Sequence, residues 1–100
     1  MTQAEQECID IIRDHLTKAD LFGQLAEEAA ELAQAALKLQ RILLNRNLPR
    51  ISQAEASANL VEEHADLALC FELLGWSDKV DRKRIRSEKL FRWAKHLMEG

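Results

Sequence analysis

The chain has no tyrosine, one proline and three glycines, and aromatic side chains make up only 5% of its 100 residues. Sheet proteins with many short strands need more turn-forming and aromatic residues than this. A chain rich instead in Ala, Leu and Glu, and 47% hydrophobic, favours helices. There are two cysteines, Cys8 and Cys70, with no CxxC spacing, and free thiols are expected rather than a disulfide. Cys70 falls on an inward helical stripe, so two buried or semi-buried free thiols in a reducing compartment are expected. No apolar run approaches the ~18 residues of a membrane span, and MTQAEQE has neither the basic nor the apolar region of a secretion signal. A soluble, cytoplasmic protein without membrane partners is the expectation. Glycine-rich phosphate loops, HExxH and Ser/His/Asp arrangements are also missing.

One hundred residues suit a single domain, residues 1–100, small enough that self-association would help stability. The formal net charge of −3 hides an asymmetry. Residues 1–77 hold 6 basic and 13 acidic side chains, whereas residues 78–100 hold 8 basic and 4 acidic ones. An acidic centre beside a basic C-terminal helix suits a cation and a polyphosphate together, although a solvated helix face has the same composition. Nucleic-acid binding is not expected, because most of the chain is acidic and no recognition unit is legible.

Four helices are predicted. Residues 3–18 give the first, with an apolar face of Cys8, Ile11, Ile12, His15 and Leu16. Asp20 is placed as the cap of a second helix that runs to about Leu44, with Gly23 in its first turn, where it permits close approach of another helix or of substrate. Asn45-Arg46-Asn47-Leu48-Pro49-Arg50 breaks the chain, and Ser52-x-x-Glu55 opens a third helix as a capping box, carrying on to Leu74. Gly75 suits a left-handed C-cap, and Ser77 an N-cap for a fourth helix from Asp78 to about Met98, with Val80, Ile85, Leu90, Phe91, Ala94, Leu97 and Met98 on its apolar side. The predicted architecture is an all-α, antiparallel four-helix bundle.

The most informative stretch is Gln24–Leu39. At about 100° per residue, Leu21, Leu25, Leu32, Ala35, Leu39 and Ile42 form one stripe, with Glu28 near its middle and Glu31 at its edge. Thirty-five positions on, Glu63 aligns with Glu28, Asp66 with Glu31, Leu67 with Leu32, Cys70 with Ala35 and Leu74 with Leu39. Each helix therefore turns two acids inward. Burying a carboxylate costs several kcal/mol, and converging like charges cannot all stay ionised without a cation between them. Residues three apart lie about 4.5 Å apart along a helix axis, so Glu28/Glu31 and Glu63/Asp66 can each chelate a hard ion. Oxygen-only ligands favour Mg²⁺ or Mn²⁺. His64 lies on the side of Leu60, Leu67 and Phe71, where burial against a partner helix is expected.

The pattern Glu27-Glu28-x-x-Glu31, then Glu63-x-x-Asp66, with the wording LAEEAAELAQAALKL, NLVEEHADLAL and EKLFRW, resembles the MazG-like all-α nucleoside triphosphate pyrophosphatases over about residues 20–95, and above all their short single-domain members. The resemblance implies Mg²⁺-dependent hydrolysis of a (deoxy)nucleoside triphosphate between its α and β phosphates, in a homodimer or homotetramer. It implies Glu28, Glu31, Glu63 and Asp66 as metal ligands. Glu27 and Glu62 stand as outer acids that position or activate water, or as surface residues, being about 100° round the helix from the neighbouring ligand. Lys38, Lys89 and Arg92 are candidates for the triphosphate or for solvent salt bridges. Trp93 is a candidate to stack on a base, or a core or interface residue. Gln24 and Asn59, each one turn before Glu28 and Glu63, are candidates to bind nucleotide or to orient those acids. The alternative from another class is a non-enzymatic helical interaction module in which the acids pair with the basic fourth helix. A di-iron bundle would want Glu-x-x-His, where this chain has Glu31 and Asp66.

Overall fold

The computed structural model describes residues 1–75 and 82–100. Four helices occur in it: α1 Gln3–His15, α2 Lys18–Leu44, α3 Gln53–Leu73 and α4 Arg82–Glu99, and the described residues include no strand. None of these helices is long and apolar enough to cross a membrane. The expected Ser77 cap, Asp78 start and Val80 contact lie outside the described residues.

Helix boundaries follow local chemistry, with two corrections. Thr2 caps α1 through its hydroxyl, which accepts from the Glu5 amide at 3.1 Å, and α1 stops at His15 rather than reaching 18. Thr17, not Asp20, is the N-cap of α2. Its hydroxyl accepts from Asp20 N at 3.1 Å while Asp20 Oδ2 accepts from Thr17 N at 2.9 Å, so Asp20 closes a reciprocal box from the third helical position. The Thr17 bonds hold the Asp20 carboxyl below its ordinary range. Asn45, at φ 54°, ends α2 in the left-handed region, with the Arg46 amide donating to Arg41 O at 2.9 Å. Ser52 accepts from Glu55 N at 3.1 Å and opens α3. Gly75, at φ 74°, follows α3 in the conformation a side chain resists. A Cβ on Gly23 would meet nothing within 4 Å, so no described element approaches α2 closely there.

The α2–α3 hairpin is the structural centre and, among the described residues, the one helix pair with extensive mutual packing. Along its seam, side chains seven residues apart face across: Leu21, Glu28, Ala35 and Ile42 from α2, with Ala56, Glu63 and Cys70 from α3. The half-buried Leu25, Leu32 and Leu39 flank them, as the stripe predicts. Near one end, Ile9 of α1 joins Leu21, Leu73 and Leu74 in a small core, with Ile12 and Leu25 against it. The buried face of α1 is therefore Ile9 and Ile12. Cys8, Ile11, His15 and Leu16 are exposed, because α1 reaches the hairpin across one narrow edge. Arg13 secures the join by donating to Leu73 O at 3.2 Å and Glu72 O at 3.1 Å, two carbonyls at the open end of α3.

In α4 no residue is buried; Ile85 is half-buried and the rest are exposed, including Phe91 at 75% and Trp93 at 67%. The chain is thus four-helical, but the described part of α4 contributes no buried side chain to a core.

Candidate metal centre

The seven-residue spacing of buried and half-buried side chains puts Glu28 in line with Leu21 and Ala35, and Glu63 in line with Ala56 and Cys70, at seam positions an apolar residue would ordinarily hold. Glu28 is 9% exposed, between Leu21 and Ala35 in its row; Glu63 is half-buried between Ala56 and Cys70. Glu31, one turn beyond Glu28, reaches in from the hairpin's edge. One carboxylate oxygen from each of Glu28, Glu31 and Glu63 can be chosen so that all three lie within 4.8 Å of one another.

Donors for these oxygens are scarce. Gln24 Nε2 donates to Glu28 Oε1 at 2.8 Å. Oε2 of Glu28 and Oε2 of Glu63 are buried with no hydrogen-bond partner. Among the described residues no salt bridge reaches the cluster; Arg84–Glu88 at 2.9 Å and Lys95–Glu99 at 3.8 Å pair residues within α4. The Gln24 bond favours ionised Glu28, but burial and the negative charges of Glu31 and Asp66 outweigh it and raise the Glu28 pKa. Glu31 is raised first by its hydrogen bond with Glu63, then by the Glu63 charge and by desolvation. The buried Cys70 thiol is pushed up by desolvation, with Glu28 and Asp66 adding to it. Two orphaned acceptors among crowded carboxylates are reconciled by a shared proton or by a cation, and oxygen donors at this spacing fit a hard divalent ion.

Beside the cluster lies a cavity of ≈ 130 Å³, with Glu31 and Glu63 at one side and Lys38, Asn59 and Gln34 around it. Its apolar walls are Ala35, Ala56 and Ile51. The structure therefore brings together Glu28, Glu31, Glu63, Lys38 and Asn59, with Gln24 orienting Glu28. Asp66 is half-buried and near enough for its charge to act on Glu28, Glu31 and Cys70, but it is not a member of the three-carboxylate group. Glu27 and Glu62 are exposed, as their azimuths on the helices dictate. Lys89, Arg92 and Trp93 line a separate shallow cleft with His96 on α4 and are not brought to the carboxylates. His64 is exposed rather than covered within the protomer, and Cys8 is exposed rather than semi-buried. Gln34 and Ile51 are cavity residues that sequence reasoning missed. Gln34 had a signal, one turn beyond Glu31 on the same edge; Ile51 had none, because a loop positions it.

The class that fold and site define is an all-α protein with a carboxylate cluster inside a helical hairpin. No family profile, curated protein or solved structure matches the chain.

Proposed function

We propose that the protein is a divalent-metal-dependent nucleoside triphosphate pyrophosphohydrolase. The observation that carries this reading is the trio Glu28, Glu31 and Glu63, whose oxygens converge while Oε2 of Glu28 and of Glu63 lack any donor. These residues, with Asp66 adjacent, would hold Mg²⁺ or Mn²⁺, which when bound neutralises phosphate charge and makes water a better nucleophile. Gln24 orients Glu28. Lys38 offers its ammonium to the phosphates from the wall shared with Glu31 and Glu63, and Asn59 offers an amide. Ala35, Ala56 and Ile51 give that cavity its apolar lining. The motif resemblance supplies the bond, between the α and β phosphates. Glu27 and Glu62, exposed on the helices, have a place in this reading only as outer acids.

The test is pyrophosphate release from the eight common nucleoside triphosphates with Mg²⁺. Turnover of at least one, lost in Glu63→Gln, is the expected result; no release from any, or full turnover in that variant, would refute the assignment. The rival interaction module predicts a melting temperature indifferent to Mg²⁺.

A further inference from the structure

The charge of α4 runs against that of the rest of the chain. Arg82–Glu99 holds seven Lys or Arg and two Glu, a balance of +5, whereas the other residues hold seven basic and fifteen acidic side chains, a balance of −8. At about 100° per residue, Trp93, Leu97, Leu90, Ala94, Met98 and Phe91 follow one another, in that order, round an arc of about 160°. All six are exposed, Leu97 at 67% and Met98 at 87%. Lys83 and Arg86 enter the arc only in the first turns, so the apolar face belongs to the C-terminal half of the helix.

The remaining arc of that half carries Lys89, Arg92, Lys95, His96 and Glu99. Ile85, the half-buried residue of α4, lies on this side as well, so the apolar arc is turned from the rest of the chain. Trp93 stands at the boundary of the two arcs and shares a shallow cleft with Lys89, Arg92 and His96.

We propose that α4 is a membrane-surface helix, which lays Leu90, Phe91, Trp93, Leu97 and Met98 into the headgroup boundary of an anionic lipid bilayer. Cations on one face with Trp, Phe and Leu on the other are what such a helix requires. Lys and Arg stems can lie along the boundary while their charged heads reach lipid phosphates, and an indole between apolar and cationic neighbours suits the headgroup level. The acidic remainder does not cancel this attraction, because salt screens charges beyond about 8–10 Å and α4 meets the surface with its own +5. A second α4 would set like charge against like. A helix lying in the headgroup plane needs no apolar span, so the lack of a spanning helix does not bear on it. The cavity beside the carboxylates is lined by no residue of α4, which keeps this inference apart from the catalytic reading.

Cosedimentation of the full chain with vesicles tests this, using phosphatidylcholine alone or mixed with phosphatidylglycerol. The wild type is expected to pellet with the mixed vesicles only, and less as salt is raised. Arg92→Gln and Lys95→Gln should each weaken partitioning about fivefold. The double variant Phe91→Gln, Leu97→Gln keeps every charge and should lose it. Val61→Gln, at a 70% exposed apolar position on α3, should bind as the wild type does. Tryptophan emission should shift to the blue on the mixed vesicles, and Trp93→Phe should remove that shift. Every substituted side chain is exposed, so none of these variants puts folding at stake. Absence of pelleting overturns the proposal, and is the result expected if the acidic hairpin of another copy covers the arc instead. Equal pelleting with neutral vesicles overturns it too, as does binding that survives Phe91→Gln, Leu97→Gln or is lost in Val61→Gln.

Discussion

The α2–α3 seam is made of two different materials. Near α1 it is apolar, with Leu21, Leu73 and Leu74 closing on Ile9; a turn or two along, the same row carries Glu28 and Glu63. The apolar end gains free energy by leaving water and needs nothing more. The acidic stretch leaves water at a cost and lacks the donors that would offset it. The hairpin thus holds itself together at one end and keeps unpartnered carboxylate oxygens in its middle.

The sharpest way to break the comparison is Glu63→Gln. It should abolish pyrophosphate release and metal binding, yet raise the melting temperature in metal-free buffer, because one negative charge leaves the cluster. A lower metal-free melting temperature would show that the acids are structural. Leu21→Ala probes the other end: deleting a buried leucine costs about 2–5 kcal/mol, read by chemical denaturation, and cation affinity per folded molecule should not change. Third, Mg²⁺ at about 100-fold above its dissociation constant should stabilise the wild type by about 2.7 kcal/mol. Calorimetry checks this, and Glu63→Gln should erase it.

The pH dependence sharpens the same point. Glu28 and Glu31 have folded pKa values above the ordinary 4.5, so the folded chain keeps protons that the unfolded chain releases. Their contribution is full below 4.5 and is lost as pH rises through the folded values. Metal-free melting temperature should therefore drop as pH rises above 4.5 through the raised folded values, while the increment due to Mg²⁺ grows. Asp20 runs oppositely: its contribution is lost only as pH falls below 3.8 through its lowered value, outside that window. The smallest effect is Thr17→Ala, which removes the hydroxyl half of a capping box and should cost about 1 kcal/mol, with catalysis unaltered.

Much of this could be read before any coordinates. The stripe from Leu21 to Ile42, the break at Asn45–Pro49 and the Ser52 cap rest on contacts within a few residues, so periodicity and cap chemistry suffice to find them. The pairing of Glu28 with Glu63 was legible because two helices repeat one phase. Thr17 was missed because Asp20 is also a good capping residue, and only the reciprocal bonds tell cap from third position. The burial of Ile9 in place of Ile11 was missed because α1 touches the hairpin along an edge too narrow for a full amphipathic face.

By itself the sequence determined that the chain is helical, where α2 turns into α3, and that acids occupy seam positions, since each of these is a local or periodic property. Tertiary structure decided which acids converge, that Lys38 and Asn59 share their cavity, and that Lys89, Arg92 and Trp93 lie apart from it. Those outcomes depend on how one helix sits against another. That placement follows from the summed burial of many side chains and from no single stretch of the chain.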